Sequence, residues 1–442
     1  MDFSEFFSQE NILSVFSMIK DKGASRGIDG QNLRGFEESL DSNVKLIHEK
    51  VLTGRYFFSR YKLKLISKGR GKPPREISIP TIRDRIVLKV LDLYLKENVP
   101  LGRFPRSPGS IVREFVSDVK ELDGRAFIKA DIKNYYPSIN HNSLMLMLGK
   151  HPIDDRALRL IGEAISTPST GLNESSSEKV RKGVPQGISI SPYLADLYMS
   201  DVDRKISEKE AVLYYRYVDD ILIFCEEGQH DNIEKALRKS VLPLGLSLHD
   251  SGGNGKFHKG IYPDQAVEFL GYRVHGRSIS VRDSSIQKLR NKLISLFSSY
   301  SKSKKKNLKF LQWRLGLRIT GCVWGGQLKG WLPYFSEIND IPLMYSLDNF
   351  VKKLIKRYVM ESDSFKARSF VRAIYEVKSY DGRMGYITNF DSDITENSAR
   401  ILAVHTFDMD IAGMSGEEVV RMVRMIIARE ISDMETDIGL LS

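Results

Sequence analysis

LYYRYVDDILIFC, residues 213–225, is the stretch whose reading decides the fold. Tyr214, Tyr215, Tyr217, Val218, Ile221, Ile223 and Phe224 give it the β-branched and aromatic composition of a strand pair. Asp219 and Asp220 interrupt that run side by side. Two adjacent carboxylates in a buried hairpin cost folding free energy unless a positive charge neutralises them. A divalent cation is the economical answer, and Mg²⁺ held by carboxylates from neighbouring strands is an arrangement used for phosphoryl transfer. As four isolated letters, Tyr217-Val218-Asp219-Asp220 reads better as a polar β-turn. The neighbouring strings decide between the two.

Upstream, FIKADIKNYYPSI (127–139) reads as a short buried strand, Phe127, Ile128 and Ala130, that delivers Asp131. Between the two acidic sites, Gly183, Pro185 and Gly187 mark a loop. Ser191 then reads as a helix N-cap, with Pro192 at the first helical position. Leu194, Leu197 and Tyr198 recur at helical spacing and give that helix an apolar face.

At these residues the chain resembles the reverse transcriptases, with Asp131, then Val184-Pro185-Gln186-Gly187, then Tyr217-Val218-Asp219-Asp220 in the family's order. Ile66-Ser67-Lys68, Lys72-Pro73-Pro74-Arg75 and Ile79 to Arg85 resemble the fingers of group II intron-type and retron-type enzymes. Ser25-Arg26-Gly27-Ile28-Asp29-Gly30 is similar to their N-terminal extension, and Phe269-Leu270-Gly271-Tyr272 to their primer-grip hairpin. The resemblance covers about residues 25 to 340. Shorter strings at 317–322, 330–335, 368–371 and 386–391 look like segments of the defence-associated reverse transcriptases that use a noncoding RNA.

The resemblance implies an α+β right-hand polymerase with a mainly helical C-terminal region. The expected divisions are an N-terminal extension and fingers at 1–112 and a palm at 113–283, with part of the fingers inserted at about 140–182. A thumb at 284–342 and a helical region at 343–442 follow. By the same resemblance, Asp131, Asp219 and Asp220 are the catalytic carboxylates and hold two Mg²⁺ together with the Ile132 carbonyl. Lys68 and Arg75 grip the triphosphate, Tyr136 is the steric gate beneath the sugar, and Gln186 contacts the nascent base pair. The next motif starts at Leu244-Gly245-Leu246-Ser247-Leu248, but a glycine-rich detour through His249 to Gly255 departs from the family pattern. The lysine expected as general acid is therefore Lys256 or Lys259, with Lys256 the first placed.

Composition fits a polyanionic partner. The 442 residues carry a formal net charge of +11, with a pI near 9.3, and phosphate neutralisation with counterion release drives such binding. Expected partners are an RNA template, a DNA product and dNTPs. Two cysteines make neither a zinc site nor a disulfide framework, and the eight histidines show no metal-ligand spacing. The N-terminus lacks the basic start and apolar core of a signal peptide, and no apolar run reaches membrane-spanning length, so a cytoplasmic location is expected. Phe6, Ile12, Val15, Phe16 and Ile19 predict an apolar helical face, and Asp84 to Asn98 an amphipathic helix. Trp313, Trp324 and Trp331 are candidates for base stacking or for core, and the lysines at 302 and 304–306 for a solvated face or phosphate contacts.

The reaction expected is RNA-directed DNA synthesis by two-metal phosphoryl transfer, with a structured noncoding RNA as template in antiphage defence. RNA-dependent RNA synthesis, template-independent DNA synthesis and an RNA-binding scaffold with a dead site are its rivals. Tyr136 argues against the first, and the intact aspartates against the last.

Overall fold

The first two helices form because each has a cap and an apolar side. Asp2 and Glu5 make a capping box on Phe3–Phe6, and Ser8 caps Gln9–Lys22. The expected face of Phe6, Ile12, Val15, Phe16 and Ile19 is buried in the core. The computed structural model describes residues 2–67, 73–102, 106–172, 174, 178–250, 256–359, 365–382 and 385–438. It divides into two compact units, Met1–Ile111 with Gly124–Ile261, and Val112–Asp123 with Tyr262–Ser442.

Among its described residues the first unit holds seven strands: β1 (Tyr61–Ile66), β2 (Arg75–Ile79), β3 (Ala126–Asp131), β4 (Ser169–Thr170), β5 (Leu213–Tyr217), β6 (Asp220–Cys225) and β7 (Phe257–Ile261). β1 pairs antiparallel with β2 and parallel with β4. The other four make an antiparallel sheet in the order β5-β6-β3-β7. All of β6 after Asp220 is buried, so its apolar run has no polar alternation.

Helix Ile82–Asn98 is more central than an amphipathic reading allows. Leu88, Asp84, Asp92 and Tyr94 are buried with the expected Ile86, Val87, Val90, Leu91 and Leu95. Asp84 is tolerated inside because it accepts from the Tyr56 hydroxyl at 2.6 Å and the Ser59 amide at 3.0 Å. Asp92 holds Lys89 and Lys96 at 2.7 and 2.9 Å. Gly27 packs so closely that a Cβ there would stand 2.6 Å from the Thr81 Cα, which accounts for a glycine in the Ser25–Gly30 string.

In the second unit, β8 (Val267–Phe269), β9 (Tyr272–His275) and β10 (Ser278–Val281) form a meander. β11 (Cys322–Trp324) pairs antiparallel with β12 (Gln327–Lys329) and parallel with β13 (Thr388–Asn389). Helices Asp283–Lys302, Leu308–Thr320, Ile341–Tyr358, Phe370–Lys378 and Gly416–Glu435 make up most of the rest. Val419, Val423, Ile427 and Ile431 recur every fourth residue and bury the last helix against Leu317, Cys322 and Phe390. Arg314 reaches Glu430 at 2.6 Å, and buried Arg318 pairs with Asp433 and Asp437. Burial pushes the Asp437 carboxyl up to about 6 despite Arg318.

Trp331 is fully buried, Trp313 stacks on Phe310, and Trp324 meets Phe390 edge-on. Trp331 is a core residue, Trp313 and Trp324 are half-buried against the core, and the lysines at 302 and 304–306 are exposed. Both cysteines are free and buried, and burial raises the Cys322 thiol to about 12. Among the described residues no helix is long and apolar enough to cross a membrane.

Candidate active site

Asp131 ends β3 and Asp220 opens β6, and the two are direct partners across the antiparallel register. Directly opposed residues share one face, with Cβ atoms about 5 Å apart. Tyr217 pairs with Asp220 on the other side, so Val218 and Asp219 form a two-residue hairpin turn. The Ile132 amide donates to the Asp219 carbonyl at 3.1 Å and ties that turn to the end of β3. Burial, then the charge of Asp131, holds the Asp219 carboxyl above its ordinary range. Two acids that repel each other out of water suit a cation.

The Lys256 ammonium already lies 3.0 Å from Asp131 Oδ1, and His249 Nε2 lies 3.2 Å from the same oxygen. Burial, then Lys256, lowers the His249 pKa, which favours the neutral imidazole. Nothing in the spacing marked His249 as a neighbour of Asp131. Lys259 points elsewhere, to Asp231 at 2.8 Å and Glu234 at 2.7 Å, so only Lys256 of the two reaches the carboxylates. Among the described residues no three His, Cys, Asp or Glu side chains gather as a ready-made metal cage. That is compatible with a hard cation bound by one or two carboxylates, with water and substrate phosphates completing the shell.

The loop expected to meet the nucleotide is knitted to the same place. The Val184 amide donates to the Tyr136 carbonyl at 2.9 Å and the Gly183 amide to Ile139 at 2.8 Å. The Ser78 amide on β2 donates to the Gln186 carbonyl at 2.7 Å. Gly187 has φ +104°, and a Cβ there would stand 2.8 Å from Ile77 and 2.9 Å from the Ser78 carbonyl oxygen. Only glycine admits both that backbone and that approach. The charge of Arg75 bears on both Asp219 and Tyr136, which places it beside them. Tyr136, Gln186 and Arg75 are all half-buried. Lys68 lies outside the described residues.

The helix after this loop begins at Ser191, one residue earlier than expected, with Ile190 at the cap position. The Ser191 hydroxyl donates to the Pro185 carbonyl at 2.5 Å, so it braces the loop and does not cap the helix. In the second unit, Leu270 and Gly271 both take positive φ, 49° and 85°, as a tight two-residue hairpin requires. Phe269, Leu270 and Tyr272 are buried, and the Leu270 carbonyl accepts from the Tyr334 hydroxyl at 2.9 Å.

Residues 66–274 match the family model described as reverse transcriptase (RNA-dependent DNA polymerase). This is a reverse transcriptase domain. The chain is 28% identical over 304 residues to Protein YkfC of Escherichia coli, spanning 58% of this chain and 77% of that protein. It is 26% identical over 224 residues to the group II intron-encoded protein LtrA of Lactococcus lactis, spanning 45% of this chain and only 36% of LtrA. The telomerase structure from Candida albicans, solved with a fragment of telomeric RNA, aligns over 92% of this chain and 68% of that one, at 16% identity and a TM-score of 0.45. The family places RNA-directed DNA polymerase activity, dependent on a divalent metal, on a bacterial-type right-hand polymerase fold.

Proposed function

We propose that this reverse transcriptase extends a primer 3′-end with dNTPs along an RNA template, using two Mg²⁺ held by Asp131, Asp219, Asp220 and the Ile132 carbonyl. The observation that carries the reading is the meeting of Asp131 with the Asp219 turn at the ends of paired strands. When bound, the cations acidify the primer hydroxyl and neutralise the triphosphate. Arg75, with Lys68, binds the triphosphate; Gln186 orients the base pair; Tyr136 closes the space beneath the sugar. Palm at 113–283, thumb at 284–342 and a primer grip at Phe269–Tyr272 complete the proposed division.

Lys256 is the proposed proton donor to the departing pyrophosphate. Lys256→Ala is expected to lower the single-turnover rate about a hundredfold, the usual scale of general acid catalysis. Lys259→Ala, whose ammonium serves Asp231 and Glu234, is expected to leave that rate within about twofold. Equal losses in the two variants would remove the assignment.

The template proposed is a structured noncoding RNA, and the biological setting antiphage defence. The support is the likeness of the strings at 317–322, 330–335, 368–371 and 386–391 to defence-associated enzymes. The test of the reaction is incubation with Mg²⁺, dNTPs and a primed RNA of mixed sequence, beside RNA that co-purifies with the protein. Product complementary to either RNA is expected. Product unrelated to both would favour template-independent synthesis, and no product from either would overturn the proposal. The defence role fails if the transplanted native locus gives no phage protection.

A further inference from the structure

Arg216 is almost wholly buried, at 1% exposed, one residue before the Tyr217–Asp220 turn. Its fork is fully engaged on helix Ser191–Ser207, with Nε 2.7 Å from Asp203 Oδ1, Nη2 2.6 Å from Asp203 Oδ2 and Nη1 3.0 Å from Asp196 Oδ1. Asp203 also accepts from the Tyr214 hydroxyl at 2.7 Å. The same Nη1 donates to the Val218 carbonyl at 3.0 Å. A buried ion cluster is a poor way to gain stability, since well-packed apolar groups of the same volume do as well or better. Its retention here asks for another reason.

Val218 supplies one. Its φ is +57°, a left-handed conformation that a β-branched side chain disfavours. Such a residue persists where its surroundings over-determine it. The carbonyl of Val218 is held by Arg216, and the carbonyl of Asp219 by the Ile132 amide at 3.1 Å. Both carbonyls of the two-residue turn are thus pinned, one to the helix and one to β3. The helix that carries Asp196 and Asp203 also starts at the Ser191 brace on the Pro185-Gln186 loop.

We propose that Arg216 is a positioning residue: anchored by Asp203 and Asp196, it holds the Val218 carbonyl and so fixes the Asp219 carboxylate opposite Asp131. This rests on the reading of Asp219 as catalytic. The strut touches neither substrate nor reacting atoms, so it acts on the chemical step and on cation capture, and leaves primer and dNTP binding largely alone.

The test uses the full chain in two forms. Arg216→Met with Asp203→Leu exchanges the buried ion pair for apolar groups, and Arg216→Lys keeps the charge but loses the planar fork. Both are expected to keep the KM for dNTP and the Kd for primed RNA within about threefold, while kcat falls about a hundredfold, the scale of a misplacement near 1 Å. Titration of the substrate-free protein with Mn²⁺, read by loss of the free-ion EPR signal, is expected to show affinity weakened about tenfold. Either variant, folded with wild-type kcat and wild-type Mn²⁺ affinity, would overturn the proposal; if the double variant does not fold, Arg216→Lys decides. A loss in kcat matched by an equal rise in KM and in Kd would also overturn it, since that is general damage to the fold. Asp219→Ala in the same assay separates the two readings: an active Asp219→Ala removes the site assignment, whereas an inactive one beside active Arg216 variants removes only the strut.

Discussion

Asp219→Ala is expected to lower primer extension by about a thousandfold or more, the scale of losing a charge that is used in the transition state. The same substitution is expected to leave the cation-free protein at least as stable as wild type. Burial and the neighbouring Asp131 raise the Asp219 pKa, so folding favours its protonated form. The sign follows from linkage. The stability this group contributes is full below the ordinary carboxylate range and is lost as pH rises through the raised value, so at neutral pH the ionised carboxylate is a cost that alanine removes. Divalent cation should therefore raise the melting temperature of wild type, by binding the folded state alone, and raise that of Asp219→Ala much less. Activity above a tenth of wild type, or an undiminished thermal response to Mg²⁺, would show that the cation is held elsewhere.

The carboxylates were legible because acidic letters stand out inside a run of strand formers. Asp131 follows Phe127, Ile128 and Ala130, and Asp219 and Asp220 split two apolar stretches, so the pattern placed the first at a strand end and the other two inside a hairpin. The polar groups that hold them were not legible. No pattern in the sequence marks Arg216, Asp203, Asp196 or Asp84 as buried, and only tertiary packing shows that they face one another, a tyrosine or a backbone amide across the fold. Ser191 illustrates the same limit at one residue's scale. Ser-Pro is a sound helix-start signal, yet the hydroxyl found a better partner in the Pro185 carbonyl and the helix begins a residue earlier, at Ser191 itself. His249 carried no signal because it opens a glycine-rich stretch of sequence that departs from the family pattern, and its nearness to Asp131 comes from the pairing of Ile132 with Leu248.

Tyr136→Ala is expected to lower discrimination between dNTPs and rNTPs by about a hundredfold, close to what excluding one small group from a tight site yields. The ring rather than the hydroxyl carries this expectation. Burial, then Asp196 and Asp219, hold the Tyr136 phenol well above its ordinary pKa, so it stays neutral and is no proton acceptor in the reaction. Its backbone is fixed from the far side, where the Tyr136 carbonyl receives the Val184 amide, so the ring is carried on the same loop contact that places Gln186. Tyr136→Phe should therefore keep wild-type sugar selectivity. Tyr135 supplies the opposite control: it is buried, with its hydroxyl donating to the Ala195 carbonyl. Tyr135→Ala should cost about 3 kcal/mol of stability, as large-to-small core changes do, and leave the ratio of dATP to ATP incorporation in place. That ratio, measured as kcat/KM for each nucleotide on one template, separates the two tyrosines. A ratio for Tyr136→Ala equal to wild type would mean that the space beneath the sugar is closed by some other group.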